Sequence, residues 1–193
     1  MTEIFFTADQ HLGHAGIMSE NTMGRGAQFA TLDGMNDYLI EQWRSTVGTD
    51  DIVWCLGDLF FRVGVQKVQA FLARLTGRIF VAPGNHDFKM WEKFGNRGDI
   101  PEQFTVMQHN RPVCFDYRMN GRLVMLNHYL LDTWVGKDVG ACLLYGHSHG
   151  ARQGEVPATL DVGWDVHKKL LTFEETREAL LCTLDGAPPT CSG

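Results

Sequence analysis

The chain has 193 residues, with 17 Lys and Arg against 23 Asp and Glu, for a net charge of −6. That length suits one domain with a sizeable core, and 44% hydrophobic with 21% charged residues excludes disorder, collagen and coiled coil as its main character. The acidic balance excludes a general nucleic-acid coat, which needs a basic face, but not a local cationic site.

No stretch approaches the ~18 apolar residues of a membrane helix. The start, Met-Thr-Glu-Ile-Phe-Phe, lacks the basic region and apolar core of a signal peptide. The five cysteines (Cys55, Cys114, Cys142, Cys182, Cys191) form no Cys-x-x-Cys pair, and Cys55 and Cys142 lie in apolar runs, which favours a reducing cytoplasm.

Ile4 to Thr7 reads as a buried strand ending at Asp9. Residues 13–34 form a loop too long to be idle in a compact domain. Met35, Leu39, Trp43 and Val47, spaced by four, predict a helix. Ile52 to Leu56 predicts a strand, Val65 to Leu75 a helix, and Arg78 to Ala82 a strand stopped by Pro83-Gly84. The texture then turns strand-rich: 104–107, 112–117, 122–126, 142–145 and 156–162 read as strands joined by short turns, with Asn120-Gly121 a hairpin signal. Thr172 to Glu175 fits a capping box opening a last helix to about Thr183. The expectation is an α/β protein with more than one sheet and helices on the outer faces. A single domain over 1–185 is followed by a loose Pro/Gly/Ser-rich tail over 186–193.

Five places share one layout, an apolar strand followed by metal-type side chains. They are Asp9-Gln10-His11, Gly57-Asp58, Gly84-Asn85-His86-Asp87, Asn127-His128 and Gly146-His147-Ser148-His149. Ligands of α/β sheets bind beyond the carboxyl ends of strands, where such loops converge. Asp-x-His and His-x-His place two side chains on one side of an extended segment, within reach of one cation. A carboxylate such as Asp58 has two oxygens and can bridge two ions. Imidazole and oxygen donors without Cys suit Zn, Mn, Fe or Ni. About seven ligands with one shared exceed a single tetrahedral site and fit two divalent ions ~3.5–4 Å apart, as used in phosphoryl chemistry.

In these motifs and their order the chain resembles the calcineurin-like metallophosphoesterase superfamily. The resemblance implies a four-layer α-β-β-α sandwich of two mixed β-sheets flanked by helices. It implies one metal on Asp9, His11, Asp58 and His149, and a second on Asp58, Asn85, His128 and His147, with Asp58 as bridge. His86 is implied as the catalytic histidine and Asp87 as the group that orients it. Thr7 to His14, Arg25 and Gly57-Asp58-Leu59 resemble a small capless bacterial and phage branch. There His14 and Arg25 are expected to meet the substrate phosphate, with Arg62 a weaker candidate. His109 and His167 match no ligand.

The activity expected is hydrolysis of small phosphate esters, nucleotides included and diesters favoured, by attack of a metal-bridging hydroxide, with Mn²⁺, Fe²⁺, Ni²⁺ or Zn²⁺ as cofactors. The alternatives are a nuclease or nucleotide pyrophosphohydrolase at the same site, or a non-catalytic metal-binding scaffold. Two divalent ions invert the local charge, so a small anion suits the cleft better than duplex nucleic acid. No membrane partner is expected.

Overall fold

The computed structural model describes residues 2–109 and 111–184. Four parallel strands, Ile4–Thr7 (β1), Ile52–Cys55 (β2), Arg78–Val81 (β3) and Phe104–Val106 (β4), lie in the order β4-β3-β2-β1. Three helices connect them: Leu32–Thr46 (α1), Val65–Leu72 (α2) and Phe88–Arg97 (α3). Thr31 caps α1 by accepting from the Gly34 N–H at 3.0 Å. Strand alternation sends Phe5, Val53, Cys55, Ile79 and Val81 towards these helices, where Trp43, Phe71 and Trp91 complete the core.

The helix α3 is absent from the sequence reading. Its buried positions, Trp91 and Phe94, sit among Lys89, Glu92 and Lys93, and Gly98 ends it in the left-handed conformation at φ 68°. Phe88, Trp91 and Phe94 recur every third residue with Met90 beside them, a helical apolar spacing that the sequence reading passed over.

The second sheet, in the order β5-β6-β7-β8, holds Val113–Met119 (β5), Arg122–Leu126 (β6), Cys142–Tyr145 (β7) and Thr159–Asp161 (β8). Asn120 and Gly121, at φ 53° and 74°, make the tight turn between antiparallel β5 and β6. The expectation of short turns throughout fails beyond that point. β6, β7 and β8 run parallel, so each connection must cross back along the sheet. The first crossover covers the sheet's outer face, where Trp134 and Ala141 pack on Met125 and Leu143.

After β8 come a helical turn at Trp164–His167 (α4), a short strand at Leu171–Thr172 (β9) that pairs antiparallel with β1, and a last helix at Phe173–Leu184 (α5). The predicted capping box is present: the Glu175 N–H donates to Thr172 Oγ1 at 3.1 Å, and the Thr172 N–H donates to Glu175 Oε2 at 2.9 Å. Helices thus flank two mixed sheets in an α/β sandwich. Its inner layer is Phe6, Leu56, Phe115, Leu126, Leu144 and Leu160.

Cys55 and Cys142 are buried free thiols. Among the described residues no helix is long and apolar enough to cross a membrane. The tail expected at 186–193 lies outside the described residues.

Candidate metal centre

Because β1, β2 and β3 are parallel, as are β6, β7 and β8, the loops after these strands meet at one edge of the sandwich. Direct hydrogen bonds join the two sheets there. The Trp164 N–H donates to the Ala8 carbonyl at 2.9 Å, the His128 Nδ1–H to the Leu56 carbonyl at 2.7 Å, and the His147 N–H to Asp9 Oδ2 at 2.9 Å. The loops are sharply bent. Asp9, His11, Asp58, His147 and His149 all have positive φ, between 49° and 69°, a conformation unfavourable for residues with a Cβ and concentrated at functional sites.

Two groups of donors result. Ligand atoms of Asp9, His11 and His149 lie within 4.8 Å of one another, as do those of Asp58, His128 and His147. Asp58 stands between the groups, its Oδ2 being 3.8 Å from His11 Nε2, 3.4 Å from His128 Nε2 and 3.9 Å from His86 Nε2. Asn85 Oδ1 joins the second group, 3.1 Å from His128 Nε2.

The donors fit divalent cations on two counts. Asp9 Oδ1 and His11 Nε2 are buried without a hydrogen-bond partner, 3.9 Å apart, and such orphaned atoms are costly unless something binds them. The ring nitrogens facing away from the groups are also engaged. His128 Nδ1 meets the Leu56 carbonyl, His149 Nδ1 lies 2.6 Å from Asp165 Oδ2, and His11 Nδ1 lies 3.3 Å from His14 Nδ1. This is how ligating histidines are held, with Nε2 left for the ion.

Electrostatics agree. Burial raises Asp9 to about 7 and lowers His11 well below the usual histidine value. Burial also acts to raise Asp58, but the hydrogen bond and charge of His128, with His11, outweigh it and hold Asp58 at about 2. Burial likewise acts to lower His128, yet Asp58 brings it up to about 9.

Glycine is required where the loops touch. A Cβ on Gly84 would lie 2.0 Å from Asp58 Oδ1, and one on Gly57 would lie 2.6 Å from the Gly84 nitrogen and from His128 Nδ1.

The structure places three of the expected residues in other contacts. Arg25 does not open to the site's surface: it is buried, 1% exposed. It donates to both Asp165 oxygens, at 2.9 and 2.7 Å, and to the Asp9 and Gln10 carbonyls, each at 2.7 Å. Asp87 does not touch the His86 ring. Its buried carboxylate accepts from the Leu59 and Gly84 N–H groups, both at 2.8 Å, and so ties two ligand loops together. His14 reaches the site, but its ring packs 3.9 Å from Phe61 and its Nδ1 faces His11. Burial, with the charges of His86 and Arg25, pushes it down to about 4, so it brings no positive charge to an anion at neutral pH.

His86 itself is fixed at its backbone, the N–H donating to Asp58 Oδ1 at 2.9 Å, while its ring is exposed. Arg62 is exposed, its guanidinium 5.0 Å from the Phe61 ring centroid. His109 stacks on Phe88 and His167 bonds to the Asp161 carbonyl.

The sequence reading misses Asp161 and Asp165. Asp161 accepts from Ser148 Oγ at 2.6 Å and from the Gly150 and Gly163 N–H groups at 3.0 and 2.8 Å, which shapes the His147–His149 loop. The same layout marks this segment, since Leu160-Asp161-Val162-Gly163 is another apolar strand ending in Asp and Gly.

Fold and site together define a class: a two-sheet α/β protein that gathers imidazoles and carboxylates at its strand ends for divalent cations. A family model described as calcineurin-like phosphoesterase matches residues 2–128. The chain is 30% identical over 158 residues to an uncharacterised protein of Methanocaldococcus jannaschii, covering 81% of this chain and 75% of that one. It is 26% identical over 202 residues to the Gene 66 protein of Mycobacterium phage D29, covering 92% and 96%. A solved structure, a protein of unknown function from Aquifex aeolicus, matches with a TM-score of 0.67 at 15% identity over 92% of this chain and 99% of that one, a likeness of fold. The chain belongs to the calcineurin-like phosphoesterase family, and with its two candidate metal groups it is a metal-dependent phosphoesterase.

Proposed function

We propose that residues 1–185 form one catalytic domain that hydrolyses small phosphate esters, diesters in preference to monoesters, at two adjoining cation sites that share Asp58. The first site is Asp9, His11, Asp58 and His149, and the second is Asp58, Asn85, His128 and His147. The observation that carries this reading is the pair of orphaned buried atoms, Asp9 Oδ1 and His11 Nε2, with Asp58 Oδ2 of the neighbouring group 3.8 Å from His11 Nε2.

Divalent ions, of which Mn²⁺, Fe²⁺, Ni²⁺ and Zn²⁺ suit these donors, supply charge for the phosphate oxygens and a water of lowered pKa. The protein's part is to hold those donors rigidly and to place His86. The His86 ring stands beside Asp58 and opens to solvent, where it can protonate a leaving oxygen. Burial, reinforced by the charges of His128, His149 and Arg62 and opposed by Asp58, lowers the pKa of His86, and an anionic phosphate beside it restores the protonated form. A diester, whose leaving group is poor, gains most from such an acid. Nucleotides are within the substrate class, and the buried free thiols Cys55 and Cys142 suit a reducing cytoplasm.

The test is hydrolysis of bis-p-nitrophenyl phosphate and p-nitrophenyl phosphate by metal-analysed protein. His86→Ala is expected to lower kcat about 10²–10⁴-fold with the bound metal unchanged. A metal-loaded wild type inert to both esters sinks the reading.

A further inference from the structure

We propose that Asp165 is a positioning residue for His149 and that Arg25 clamps it, so that the geometry of the Asp9–His11–His149 site is set by an ion pair joining the segment between β1 and α1 to the segment after β8. The proposal rests on reading those three residues as a cation site.

Asp165 accepts three strong hydrogen bonds at once. His149 Nδ1 and Arg25 Nη2 both reach Oδ2, at 2.6 and 2.7 Å, and Arg25 Nε reaches Oδ1 at 2.9 Å. Both partners of the ion pair are inside the protein, with side-chain exposures of 1% for Arg25 and 8% for Asp165. The same guanidinium donates to the Asp9 carbonyl at 2.7 Å and lies 4.8 Å from the Trp164 ring centroid. One cation therefore holds the backbone of one ligand, Asp9, and through Asp165 the ring of another, His149.

A carboxylate accepting from Nδ1 fixes the proton there, leaves Nε2 for an ion, and makes the ring a stronger donor. His128 receives its own orientation from a neutral carbonyl, that of Leu56. The two sites thus differ in how their histidines are held. Asp165 lies outside residues 2–128, the part matched by the family model, so the family match does not account for it.

Metal-free full-length protein is titrated with Mn²⁺, with free ion followed by paramagnetic resonance. Asp165→Asn keeps the size but offers one acceptor atom where the Arg25 and His149 donors converge. It is expected to weaken the ion at Asp9–His11–His149 about 10–100-fold and leave the other within about threefold, the pattern of His149→Ala rather than of His147→Ala. Asp165→Glu should recover part of the loss. Equal weakening of both ions, or of neither, overturns the proposal. If the Asp165 variants do not fold, wild type decides: ¹⁵N-histidine spectra of the metal-free protein, taken above the pH at which the His149 ring is seen to titrate, should show His149 protonated on Nδ1. A proton on Nε2 overturns the proposal. Mn²⁺ binding with this split, in a protein that cleaves neither chromogenic ester, would remove the proposed function and leave the positioning role standing.

Discussion

The His147 N–H donates to Asp9 Oδ2 at 2.9 Å, across the seam between the two sheets, while Asp9 Oδ1 has no partner. One carboxylate therefore both braces the loop after β7 and presents a free, buried oxygen to the site. Ligand geometry and loop packing are the same set of contacts, and changes to one are expected to show in the other.

Gly84 is the position where this coupling is tightest. An alanine there would put its Cβ 2.0 Å from Asp58 Oδ1 and 2.7 Å from the Asp58 backbone nitrogen, so the shared carboxylate must move. Gly84→Ala is expected to cost about 1–3 kcal/mol by overpacking, and to reduce bound metal at least about tenfold, as displaced supporting groups do. Urea denaturation and elemental analysis measure the two. Full metal content in the variant would mean that Asp58 does not hold the ions.

Arg25 should behave as an internal strut. Arg25→Ala leaves Asp165 buried beside His149 without its main counter-charge, a loss of about 3–5 kcal/mol. At saturating Mn²⁺ the KM of the folded fraction should stay within about twofold, since no binding contact to substrate is removed. A large rise in KM with stability intact would return Arg25 to the substrate.

The metal-free protein should respond to pH in two opposite ways. Asp9 and Asp87 are both raised from 3.8 to about 7, chiefly by burial. Their contribution to stability is full below the unfolded value and is lost as pH rises through about 7. Asp58, held at about 2, contributes stability above the unfolded value that is lost as pH falls towards 2. Cations need Asp9 ionised and His128, raised to about 9, neutral. Mn²⁺ binding is therefore expected to release protons and to tighten from about pH 6 to about pH 8. Titration calorimetry in buffers of different ionisation enthalpy counts those protons; a pH-independent affinity would contradict the assignment.

Much of this protein is legible locally. Thr7-Ala8-Asp9-Gln10-His11 and Gly146-His147-Ser148-His149 carry both the end of a strand and the donor atoms that follow it, because strand propensity, glycine turns and ligand chemistry are properties of neighbouring residues. On that basis the sequence alone pointed to the class of site, the family and the six side chains that the fold gathers into two candidate metal groups.

Tertiary structure decided what those donors lean on. Arg25 and Asp165 are 140 residues apart in sequence yet form one ion pair, and Asp87 bonds to Leu59 rather than to the adjacent His86 ring. The direction of β7 and β8, parallel where short turns were expected, is likewise set by the packing of crossovers on the sheet. A buried polar group must find a partner wherever the fold brings one within reach. That choice depends on the meeting of distant segments, and no local pattern of residues encodes it.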